Sequence, residues 1–257
     1  MNILFLITSL FFSSLIADEY FWPNDYEGMI TTTFSEPRFR RFHAGIDIRT
    51  YGEIGSNIYA VQDGYISRIN IKPYNYGKAI YLTTMDGNIV LYAHLDKFNP
   101  EIEILVKKLH KKYKSSFFNH YLSEDEIINI NKGDIIGYTG DTGTLSGPHI
   151  HFEIRNKNHE PLNPLKNFYN INDTQAPIAK SISFIPLKSN TWINGKQDYV
   201  SYDLLKINDN KYVLQDTIAL IGDFGIAVET YDMINKLNNF KFGIYEIQLL
   251  LDNILMY

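Results

Sequence analysis

The stretch from 65 to 95 constrains the fold most. Residues 65–72 alternate in character, and 78–84 and 88–95 are two strand-like runs on either side of Asp86-Gly87, a two-residue hairpin signal. A tight turn joins only antiparallel neighbours, since parallel strands need a long crossover. Gly64, Gly77, Gly133, Gly137, Gly140, Gly143 and Gly147 punctuate the chain at turn-like intervals. Aromatic residues make up 14% of the chain, with 19 Tyr and 16 Phe, which suits a pleated surface better than a helix. The predicted class is mainly β, built on antiparallel sheet.

Two regions depart from this pattern. In 99–131, Ile102, Leu105, Val106 and Leu109 recur at helical spacing, and Lys107, Lys108, Lys111, Lys112 and Lys114 crowd beside them. The spacing predicts a helical insertion of about 99–131, with the lysines on its solvated face. At the start, 3–16 carries no charge and is too short for a confident membrane span, which takes about 20 apolar residues. Its length fits the apolar part of an export signal over 1–17, cleaved after Ala17, although no Lys or Arg precedes it. No stable transmembrane span is expected in the mature chain.

With 257 residues, one large or two modest domains fit. Pro161, Pro164 and Asp173-Thr174-Gln175-Ala176-Pro177 read as a linker, after which strand-like runs return at 181–187, 211–214, 217–221, 225–231 and 244–251. The expected organisation is therefore a first domain over 18–172 and a second, smaller β domain over 178–257. About 80 residues fall short of the ~100 of an immunoglobulin-like sandwich, and the chain stops at Ile254-Leu255-Met256-Tyr257. An incomplete sandwich, in a truncated relative of longer proteins, is the expectation. Its open strand edge would then pair with a partner or with a second copy.

The absence of cysteine excludes disulfides, thiolate nucleophiles and thiolate metal ligands. A net charge of −5, with no long basic run, argues against nucleic acid as a partner. Any metal must be held by His and carboxylate.

Of seven histidines, four lie in three segments: Phe42-His43-Ala44-Gly45-Ile46-Asp47-Ile48, Leu91-Tyr92-Ala93-His94-Leu95 and Gly147-Pro148-His149-Ile150-His151-Phe152-Glu153. On a strand, His149 and His151 project from one face while Ile150, Phe152 and Ile154 enter a core. A divalent metal gives two neighbouring imidazoles a reason to share a face. His43 and Asp47 converge on it if Gly45 turns the chain. Two His, one Asp and an open fourth position make the ligand set of a catalytic zinc site. Periodicity alone does not choose between His149 and His151. Glu153, on the same face, either orients a ligand imidazole or is a surface carboxylate. His110, His120 and His159 are expected at the surface.

These motifs resemble the lysostaphin-type (LytM-like) zinc metallopeptidases, which cut peptide stems and cross-bridges of peptidoglycan. The family pattern is His-x3-Asp, a lone His after an apolar strand, then His-x-His. Here these are His43-x3-Asp47, His94 and His149-Ile150-His151, with a family-like glycine run from Gly137 to Gly147, and the resemblance covers about 29–165. It implies Zn2+ held by His43, Asp47 and His151, with His94 and His149 as catalytic histidines outside the ligand set. It further implies an exported endopeptidase of the periplasm or cell envelope, acting on peptidoglycan peptides by metal-activated water. A non-catalytic relative that activates another wall hydrolase is the alternative class; loss of ligands would mark it, and here the set is complete.

Overall fold

The structure, a computed structural model, describes residues 19–144, 147–234 and 240–256. The export signal expected over 1–17 lies outside the described residues. Among those described, no helix is long and apolar enough to cross a membrane.

The first part of the chain runs β1 (Ile30–Thr32), β2 (Pro37–Arg38), β3 (Arg41–Phe42), β4 (Ile46–Arg49), β5 (Asn57–Tyr59), β6 (Gly64–Ile71), β7 (Lys78–Thr84), β8 (Ile89–Ala93) and β9 (Lys97–Phe98). Then come α1 (Pro100–Tyr113), β10 (Phe118–Tyr121), β11 (Ile128–Ile130), β12 (Ile135–Tyr138), β13 (His149–Arg155) and β14 (Pro161–Leu162). The main sheet has the order β1-β4-β13-β8-β7-β6-β10, with β11 also on β6 and β14 also on β13. Its pairings are antiparallel throughout. A three-stranded sheet, β5-β12-β9, lies beside it.

One face of the main sheet is the core. Ile46 and Ile48 of β4, Ile150, Phe152 and Ile154 of β13, Val90 and Tyr92 of β8, and Ile80 and Leu82 of β7 are buried in one cluster. The alternate residues face the other way. There Ala79, Tyr81, Leu91 and Ala93 form a small second cluster, and Asp47, His149, His151 and Glu153 share that face by period two.

The β7–β8 hairpin forms where Asp86-Gly87 predicts it, with a loop one residue longer. The Thr84 N–H donates to Asn88 O (2.9 Å) and Gly87 N–H to Thr84 O (2.9 Å), so residues 85–87 make the turn. Gly87 sits at φ +86°, the left-handed residue that a three-residue loop needs.

The insertion is helical only in its first half. Asn99 caps α1, its side chain accepting from the Ile102 N–H at 2.8 Å, and Pro100 opens the first turn. Ile102, Val106 and Leu109 are buried and the lysines are exposed. The helix stops at Lys114, which is left-handed at φ +48°. Beyond it the pattern changes to period two: Phe118 and His120 are buried, Asn119 and Tyr121 exposed, and β10 and β11 pair with β6. His120 is thus not a surface residue. Its ring lies 2.8 Å from the Tyr113 hydroxyl and 2.6 Å from a Glu126 oxygen, which joins the end of α1 to β10.

From Ile178 on, Val200–Asp203, Ile178–Pro186 and Phe224–Tyr231 form a three-stranded antiparallel sheet. Three two-stranded pairs accompany it: Trp192–Ile193 with Leu220–Ile221, Leu205–Asn208 with Lys211–Val213, and Leu250–Leu251 with Ile254–Leu255. The strand run expected at 244–251 pairs only at Leu250–Leu251. The segment before it is drawn elsewhere: Ile234 and Phe242 are buried in the core of the first part, with Phe240 packed against them.

Candidate metal centre

The register of the sheet assembles the site. His151 on β13 lies opposite Asp47 on β4 and opposite Ala93 on β8. Side chains directly opposite on one face are neighbours, so His151 meets Asp47 on one side and the end of β8, where His94 follows, on the other. His94 takes a left-handed backbone at φ +63°, uncommon for a residue with a Cβ. His43 enters from the loop before β4. Gly45 permits this: a Cβ there would lie 2.1 Å from the Phe152 carbonyl oxygen.

Three donor atoms converge. His43 Nε2 lies 3.1 Å from Asp47 Oδ1, His151 Nδ1 lies 2.9 Å from the same oxygen, and the two ring nitrogens are 3.0 Å apart. All three residues are buried. Atoms about 2.0–2.2 Å from a tetrahedral ion lie roughly 3.3–3.6 Å from one another, and the observed spacings of 2.9–3.1 Å approach this. The donor set of two imidazoles and a carboxylate also suits zinc.

Each donor is oriented from behind. His43 Nδ1 donates to the Thr33 carbonyl at 2.8 Å, which leaves the Nε2 lone pair facing inward. His151 Nε2 donates to Glu153 Oε1 at 2.8 Å, which leaves Nδ1 inward. Glu153 is fully buried and also accepts from the Tyr76 hydroxyl (2.6 Å) and Arg155 Nε (2.6 Å). It is the orienting carboxylate, not the surface one. Asp47 Oδ2 accepts from the Thr32 hydroxyl and from Arg38 Nη2, the latter at 3.1 Å.

The electrostatics follow the contacts. Burial would raise the Asp47 pKa, but hydrogen bonds from His151 and His43 outweigh it and hold the carboxyl well below the usual range. Burial would lower the His151 pKa, yet Asp47 and Glu153 raise it to about 9. Burial, and then the neighbouring His149, lower His94 to about 4. Burial and Glu153 push the Tyr76 phenol above its ordinary value.

His94 and His149 stand beside the triad, with ring centroids 4.7 Å apart. The His94 ring lies 5.9 Å from that of His151, and His149 Nε2 lies 3.9 Å from Asp47 Oδ1. Nδ1 of His94 donates to the Thr142 carbonyl at 2.7 Å, and Nδ1 of His149 to the Gly147 carbonyl at 2.7 Å. All five residues singled out in the sequence therefore gather in one cleft of about 370 Å³. Arg38 and Tyr76 also line it, and Thr32 of β1 supports Asp47 through its hydroxyl. The roles of Arg38 and Tyr76 depend on where the β2–β3 hairpin and the β6–β7 turn lie against the sheet, which is a tertiary property.

Comparison with known proteins agrees. The sequence model of Peptidase family M23 matches residues 41–111 and 104–164. The DD-carboxypeptidase/endopeptidase Mpg of Neisseria meningitidis serogroup B is 32% identical over 125 residues, 49% of this chain and 22% of that protein. Peptidoglycan DD-endopeptidase ShyB of Vibrio cholerae is 31% identical over 143 residues, 55% of this chain and 25% of that protein. Among solved structures, a zinc-containing peptidase from Vibrio cholerae is 25% identical, with a TM-score of 0.43 over 58% of this chain and 40% of that one. The match spans about a quarter of the length of these curated relatives. The sequence motifs, the site they assemble and the family match agree: residues 41–164 are a Peptidase family M23 domain.

Proposed function

We propose that this chain is an exported zinc endopeptidase that hydrolyses peptide bonds in peptidoglycan stems or cross-bridges. The observation that carries the reading is the convergence of His43 Nε2, Asp47 Oδ1 and His151 Nδ1, with two further histidines beside them. His43, Asp47 and His151 hold the metal. When bound, zinc supplies Lewis acidity and brings the pKa of water from 15.7 toward ~7.

The chain's own residues supply the rest. His94 and His149 each spend Nδ1–H on a backbone carbonyl, so each presents Nε2 to the cleft as a proton acceptor. One takes a proton from the attacking water. The other, once protonated, donates to the developing oxyanion or the leaving amine. With its pKa near 4, His94 enters the reaction neutral at physiological pH. Glu153, Thr33 and Arg38 hold the ligand side chains in register, so little reorganisation is needed on metal uptake.

The test combines metal analysis of the purified protein with digestion of purified peptidoglycan and mass spectrometry of the products. About one zinc per chain and new amine and carboxyl termini are expected. Metal-loaded protein that releases no peptide products would overturn the reading.

A further inference from the structure

We infer that the cleft binds a free carboxylate of its peptide substrate on the β6 flank, against Arg68 and Lys72. This rests on the peptidase reading and adds a substrate class to it, a peptide that stays acidic beside the scissile bond.

The ridge is created by an irregularity. Between Ile66 and Arg68 the pairing of β6 with β7 slips by a residue. Ile66 is buried before the slip, and Ile69 and Ile71 are buried after it, so the inward phase of the strand reverses. Bulges of this kind re-aim side chains beside active sites. Here the slip turns Arg68, Asn70 and Lys72 to the cleft that holds His94, His149 and His151.

Three observations point to an anion. Arg68 is preorganised: Nε donates to Asn119 at 2.6 Å, and its guanidinium carbon lies 4.3 Å from the Tyr81 ring centre and 4.8 Å from that of Tyr121. Among the described residues it has no carboxylate partner, and neither has half-buried Lys72. The acids of the cleft, Asp47 and Glu153, are both engaged with histidines and arginines. A guanidinium fixed in place and holding no carboxylate matches a planar carboxylate better than a neutral amide.

The test uses the full, metal-loaded chain. The probes are cross-linked peptides released from purified peptidoglycan, and the same peptides with every carboxylate converted to carboxamide by carbodiimide coupling to ammonia. The acidic peptides should have the lower KM at similar kcat. Lys72→Gln, and separately Arg68→Gln, should raise that KM roughly two- to fivefold per charge removed and erase the preference. The Lys72 ammonium has no ion-pair partner among the described residues, so its variant remains informative if Arg68→Gln disturbs packing. Binding is read separately, by fluorescence anisotropy of labelled peptides on a His94→Ala background. Equal handling of both peptide forms, or a preference that survives both substitutions, overturns the carboxylate site while leaving the peptidase reading intact. Preferential binding of the acidic form that depends on Arg68 and Lys72, with no hydrolysis of either form, supports the site and removes the peptidase reading.

Discussion

Arg38 holds the oxygen of Asp47 that the histidines do not use: Nη2 lies 3.1 Å from Oδ2, while Oδ1 faces His43 and His151. The carboxylate is thereby set to offer one oxygen. Replacing Arg38 with Gln should weaken metal affinity about tenfold, the lower end of the range for residues that orient ligands. Competition with a chromophoric chelator measures it, and an unchanged affinity would show that the β4 backbone alone sets the carboxylate.

Five substitutions separate holding the metal from using it. His43→Ala, Asp47→Ala and His151→Ala are expected to lose both zinc and activity. His94→Ala and His149→Ala are expected to keep most of the zinc and to lose about 10²–10³ in rate. Equal zinc loss across all five would sink this division of roles.

Gly45→Ala places a methyl group 2.1 Å from the Phe152 carbonyl oxygen, so the loop carrying His43 must move away from β13. Metal content should fall although no ligand has changed. A crystal structure of the variant with His43 in its present position would contradict this.

In metal-free protein the two perturbed histidines oppose each other. His151, raised to about 9 from an unfolded value near 6.5, contributes stability in full below pH 6.5, and this is lost as pH rises through 9. His94, lowered to about 4, costs stability as pH falls from 6.5 to 4, because the unfolded chain takes up its proton first. Denaturant titrations in chelator should therefore give a maximum near pH 6.5. His151→Gln should flatten the alkaline limb and His94→Gln the acidic one.

Phe242 lies far along the chain yet is 5% exposed within the core of the first part. Phe242→Ala should destabilise that part by about 3 kcal/mol. A fragment ending at Asn172, which lacks Ile234 and Phe242, should bind zinc but melt lower than the full chain. Calorimetry of both proteins decides it.

The sheet and its histidines were legible because both depend on short-range patterns. Alternation put His149 and His151 on one face, and glycine and hairpin signals marked the turns. Helical spacing found α1 but overran it, since the change to period two at Phe118 sits behind a polar turn at Ser115-Ser116. Arg38, Tyr76 and the β6 ridge were not legible. Arg38 and Tyr76 depend on tertiary placement of two turns, and the ridge on a slip in pairing that sequence periodicity cannot register. The burial of Phe242 depends on a long-range contact that local hydrophobicity assigned to a strand.

The hydrogen bonds behind the imidazoles have a thermodynamic consequence. By fixing every ring with one nitrogen outward, the fold gathers lone pairs around a single point and pays their mutual repulsion in advance. A cation relieves it, and the elevated His151 pKa means that the smallest cation, a proton, is a competitor. Zinc uptake should release a proton, and its apparent affinity should climb about tenfold per pH unit up to pH 9 before levelling off. The melting temperature should then depend on free zinc, because a ligand that binds only the folded chain adds its mass-action term to stability.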